Sequence, residues 1–163
     1  MIHEAPQFLV ALEQSGLGAA IRQSVWAYPA ANVGHIVGLT LFAGAVAVMD
    51  ARLLGAFAAA PPADVIRPAR RMAIAAFCVM MLSGGILFTA EASHIALNPV
   101  FQIKLLLITA GLLNALVVGW GLSGVLDKLP AGTPMAGWLR LGGAISLGLW
   151  ITVAACGRLI AYF

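Results

Sequence analysis

Histidine is the residue that draws attention in a chain otherwise poor in groups able to do chemistry. There are three, His3, His35 and His94, and the last two lie in or beside long apolar segments. An imidazole in hydrocarbon costs free energy unless its nitrogens find partners. A porphyrin iron supplies such a partner when two helices each offer one neutral nitrogen, with small residues at the ring faces and an apolar shell. At helical spacing His35 shares a face with Asn32, Gly38, Leu39, Phe42 and Val46. His94 shares a face with Glu91, Leu87, Gly84 and Met80, and Ser83-Gly84-Gly85 leaves a notch in that segment. Counting from the apolar boundaries places His35 roughly 9 Å and His94 roughly 6 Å below the same surface. His35 and His94 are therefore the candidate axial ligands of one haem b. Gly38 and Gly84 give the ring room, Asn32 and Glu91 lie beside it, and His3 is the spare ligand.

Lys104 follows Glu91, Asn98 and Gln102 in sequence. It would pair with Glu91, meet a haem propionate, or snorkel its ammonium to the interface. Asn114 lies mid-segment, where a buried amide bonds across helices or, less readily, touches a quinone. Cys78, Met80 and Met81 suggest a soft metal, but neighbouring helix positions point about 100° apart and cannot all face one ion. Two cysteines, Cys78 and Cys156, are too few for a disulfide framework or a paired-cysteine metal site. Both read as small core hydrophobes.

The elements that hold these residues follow from composition. Of 163 residues, 62% are hydrophobic and 9% charged, against about 45–50% and about 25% in soluble domains. That argues against a soluble globular domain, a disordered chain and a nucleic-acid binder. Scarce carboxylates and hydroxyls argue against a hydrolase or kinase. A spanning helix needs about 20 mostly apolar residues, and four segments qualify, at about 29–49, 72–92, 103–126 and 138–155. The stretch 1–28 alternates Phe8, Leu9, Leu12, Leu17 and Ile21 with polar residues and reads as an interfacial amphipathic helix. No basic region precedes an apolar stretch at the N-terminus, so no cleavable signal peptide is expected. The expected fold is all-α, a single-domain integral membrane four-helix bundle.

Six of the nine basic residues (Arg52, Arg67, Arg70, Arg71, Lys128, Arg140) fall on one side, and three (Arg22, Lys104, Arg158) on the other. The positive-inside rule makes the first side cytoplasmic and both termini periplasmic, in a bacterial inner membrane. Trp26, Tyr28, Tyr162 and Phe163 then form the outer aromatic belt, and Trp138 belongs to the inner one.

The stretches His35-Ile-Val-Gly38-Leu-Thr-Leu-Phe-Ala-Gly44, Asp50-Ala-Arg52-Leu-Leu-Gly55, Glu91-Ala-Ser-His94 and Asn98-Pro99-Val-Phe101-Gln-Ile-Lys104 resemble a family of small four-helix bacterial membrane proteins of largely unknown function. The bundle is also broadly similar to small membrane b-type cytochromes and to the membrane part of copper-resistance proteins. The expected function is a one-haem, cytochrome-like electron-transfer or anchor subunit, passing electrons between a periplasmic or membrane partner and a quinone. Helices three and four hold no histidine, so a second bis-histidine haem is excluded. Two other readings stand beside it. One is a non-redox structural accessory subunit of a larger membrane complex or homo-oligomer. The other is copper handling by His35, His94 and a methionine.

Overall fold

The structure is a computed structural model that describes residues 5–162. His3, the spare ligand, and Phe163, of the aromatic belt, lie outside the described residues. Among the described residues, seven α-helices and one 3-10 turn follow in order: α1 (Gln7–Glu13), α2 (Gly16–Gln23), α3 (Ala27–Leu54), α4 (Pro62–Ala90), α5 (Ala92–Leu97), α6 (Pro99–Leu122), the 3-10 turn Leu126–Lys128, and α7 (Gly137–Leu159). Helices α3, α4, α6 and α7 are long and apolar enough to cross a membrane. The protein is an all-helical, multi-pass membrane protein.

The long helices outrun the expected spans. α3 continues through Asp50 and Arg52 to Leu54, and α4 begins at Pro62 and carries Arg67, Pro68, Arg70 and Arg71. Charges that read as span boundaries are helical residues. The reason is length: 28 residues make roughly 42 Å of helix, more than a hydrocarbon layer of about 30 Å. Charged turns can therefore lie on the helix beyond the lipid tails. Stops occur where backbone chemistry demands them. Gly55, at φ 115°, ends α3 in the left-handed conformation that favours glycine. Pro62 and Pro99 open α4 and α6, where a missing N–H costs nothing. Asn98 caps α6 by accepting from the N–H groups of Val100 and Phe101.

The N-terminal amphipathic segment is two helices rather than one, broken at Ser15, whose side chain accepts from the Gly18 N–H. The pair straps across the end of the bundle that carries both termini. Arg22 donates to the carbonyls of Glu13 and Ala90 at 2.7 and 2.9 Å. The Glu13 carboxylate accepts from the Ser93 N–H at 2.8 Å and from its hydroxyl.

Around the bundle the order is α4, α3, α7, α6: α4 packs on α3, α3 on α7 and α7 on α6. Small residues let these helices approach. Gly38 sits beneath Met80, Gly143 against Leu53 and the Asp50 carbonyl, Gly142 against Val118, and Gly111 under Trp150. The ring is not closed, because α4 and α6 do not pack along their length. They touch through side chains at two levels: Phe88 stacks on Phe101 at 5.6 Å near the terminal end, and Arg70 lies over Gly119 near the loop end.

Candidate functional site

The structure brings some of the expected site residues together and separates others. His35 lies between α3 and α4. Its Nδ1 is 3.0 Å from Ser83 Oγ, and Gly84 leaves room for the imidazole edge. Ser83 donates its own proton to the Val79 carbonyl at 2.7 Å. With that proton engaged, Ser83 is placed to accept from His35 Nδ1–H, in the tautomer that leaves Nε2 with its lone pair. The Lys104 ammonium is within electrostatic reach of this ring. Gly157 on α7, next to buried Cys156, makes space for it. His35, Ser83 and Gly84 thus form one polar centre between α3 and α4, while Lys104 lies against Gly157 of α7.

His94 is not part of that centre. The second long helix stops at Ala90, and His94 sits exposed on the separate helix α5. It borders a shallow depression of about 200 Å³ with Leu97, Asn98 and Pro99. Its charged neighbour is Glu13 on α1. Ala90 lies seven residues, roughly 10 Å of helix axis, beyond the Ser83 level, and His94 comes after it. The depth match expected of the two histidines is replaced by this offset. Gly38 meets Met80 rather than open space, Asn32 is exposed, and Glu91 accepts from the Tyr28 hydroxyl at 3.4 Å. Among the described residues no group of three or more His, Cys, Asp or Glu is placed to hold a metal.

The larger feature lies in the other half of the bundle. Where α4 and α6 part, a cleft of about 1040 Å³ opens sideways, with α3 and α7 as its floor. Its walls are overwhelmingly apolar. Phe42, Phe77 and Trp150 form an aromatic cluster, with Phe42 and Trp150 edge-to-face at 4.6 Å. Asp50, Arg70, Asn114 and Ser146 are its polar members. Asn114 Nδ2 donates to the Gly142 carbonyl at 3.0 Å, the cross-helix bond that its position predicts. Asp50 is only 2% exposed, and its Oδ2 has no hydrogen-bond partner.

A family of unknown function (DUF6644) matches residues 12–163. The chain belongs to that family. No curated protein and no solved structure matches it. Family membership covers the whole bundle and brings no chemistry with it.

Sequence reasoning passed over Asp50 and Ser146. Asp50 reads as the charge that closes a span, because the apolar run ends there. The signal that finds it is the stripe Gly38, Phe42, Val46, Asp50 at four-residue spacing, which puts the carboxylate on the buried face of α3. Cys78, expected in the core, is exposed and lines the cleft, whereas Cys156 is buried.

Proposed function

We propose that the protein is a membrane electron-transfer or anchor subunit that takes a lipid-soluble carrier of the quinone class into the α4–α6 cleft. The observation that carries this reading is the cleft itself: lateral, apolar, aromatic-walled and about 1040 Å³ in volume. Small-molecule sites are typically apolar clefts of about 300–1,000 Å³ with a few placed polar groups. A flat ring stacks on aromatic walls such as Phe42, Phe77 and Trp150. The Arg70 guanidinium and the Ser146 hydroxyl can donate to ring oxygens. An isoprenoid tail leaves between α4 and α6 into lipid, where the helices do not meet. The basic-residue bias supports both termini being periplasmic and the cleft lying in the cytoplasmic half of the bilayer.

A second reading, a single b-type haem, is favoured by one observation: Ser83 holds His35 through Nδ1, so that Nε2 is the nitrogen left to ligate. A ligating histidine is held in this way by a partner on its other nitrogen. His94 reaches the same iron only if α5 turns toward α3.

Both readings are tested on protein purified in mild detergent. The first expects an organic extract to contain close to one quinone per chain, lost when Ala115→Trp fills the cleft. An extract with no more quinone than an unrelated membrane protein carries overturns it. The second expects a Soret band that sharpens on reduction and disappears in His35→Ala. Protein without either would return the chain to the role of a structural accessory.

A further inference from the structure

Among the described residues, the buried side-chain atoms left without a hydrogen-bond partner are Asp50 Oδ2 and Arg52 Nε. Arg52 belongs to the end of α3, where its guanidinium donates to the Ala60 carbonyl at 3.3 Å. Asp50 is different, because it lines the cleft. Leaving a buried polar atom unpaired costs about 1–3 kcal/mol, and more for a charged group. Ser146 lines the same cleft, and Oδ2 has no partner. The group able to satisfy Oδ2 is the head of whatever enters the cleft.

The chemistry of that head can be narrowed. An ammonium would add a second cation to a cleft that already holds Arg70. A carbonyl oxygen only accepts, so it satisfies the carboxyl in the protonated form alone. A hydroxyl both donates and accepts, so it satisfies Asp50 in either protonation state. Asp50 and Phe42 lie eight residues apart on one stripe of α3, and Ser146 and Trp150 lie four apart on α7. A ring lodged between these pairs has its polar edge at Asp50 and its face on the aromatic cluster.

We infer that Asp50 is the head-group contact of the cleft and selects a neutral, hydroxyl-bearing ring, the quinol form of the carrier, over the quinone. This assignment rests on the cleft reading proposed above. The test uses the full chain in lipid nanodiscs, titrated anaerobically with a short-tailed, fully substituted benzoquinone and separately with its pre-reduced quinol. The wild-type protein binds the quinol about tenfold more tightly, a difference of about 1.4 kcal/mol. Asp50→Leu removes that preference, so that quinol and quinone bind with affinities within about threefold of each other. Asp50→Asn, which keeps the shape and adds an N–H donor, moves the preference toward the quinone. Thermal melting of each variant confirms that it is folded. Equal binding of the two forms by the wild type, or a quinol preference that survives Asp50→Leu, overturns the inference and leaves the cleft reading standing. Binding of neither form overturns the cleft reading itself.

Discussion

Single side chains in this bundle divide by what they meet. Asn114 meets a carbonyl, His35 meets Ser83, and Asp50 meets the open cleft. The cysteines divide the same way. Cys78 lines the cleft and Cys156 is packed between helices. Access orders them. A membrane-permeant maleimide labels Cys78 before Cys156, as read by peptide mass spectrometry, and a fully substituted short-tailed quinone slows labelling of Cys78 alone. Equal rates at the two sites, unaffected by the quinone, would contradict the placement of Cys78.

At the level of helices, glycine positions decide which pairs approach. A Cβ on Gly143 would lie 3.2 Å from Leu53 Cβ and 3.4 Å from the Asp50 carbonyl, whereas one on Gly148 meets nothing within 4 Å. Gly143→Val therefore destabilises the α3–α7 seam by about 1–3 kcal/mol. Gly148→Ala is neutral, or stabilising by up to about 1 kcal/mol, because helical glycine carries an entropic penalty. Thermal melts in one detergent compare the two, and equal melting points would contradict the seam. The α1–α2 strap adds a pH-dependent element. Hydrogen bonds from the Ser93 side chain, and then from its N–H, hold the Glu13 carboxyl below its ordinary value. The strap's contribution is complete above the ordinary carboxylate range and is lost as pH falls through the lowered value. It is solvent-accessible, so it amounts to less than about 1 kcal/mol. Amide exchange at Ser93 should be slow near neutrality, accelerate relative to intrinsic rates in acid, and lose that pH dependence in Glu13→Ala. Protection unchanged by the substitution would show that Ser93 is held by something else.

Elements of this kind were largely legible from the sequence. Four apolar runs gave four long apolar helices, and Asn98-Pro99 falls at a real boundary, whereas α4 begins at Pro62, ten residues before the expected span. What was not legible is tertiary. Helix length beyond the hydrocarbon layer turned Asp50 and Arg70 from boundary markers into cleft residues. The break at Glu91, with backbone angles outside the helical region, moved His94 off the long helix. Composition carries no sign of such a break, since Ala92–Leu97 is itself helical.

In the whole molecule, the governing fact is an incomplete ring. Three seams, α4–α3, α3–α7 and α7–α6, hold the bundle, and the fourth pair stays apart between Phe88–Phe101 and Arg70–Gly119. The loop end is closed by a core of Leu53, Ile66, Leu122, Leu126, Met135 and Leu139, with the exposed Arg67–Asp127 pair outside it. A bundle locked at one end and strapped at the other can keep a lateral opening without collapsing. Its occupation is measured most directly at Trp150, which stands in the cleft wall. With Trp26, Trp120 and Trp138 replaced by Phe, Trp150 is the sole indole of the chain. Titrating this variant in lipid nanodiscs with a short-tailed quinone should give saturable fluorescence quenching, and Ala115→Leu, which fills the cleft without adding an indole, should weaken it. Quenching that rises linearly with quinone in the membrane, and is the same with the cleft filled, would contradict the account.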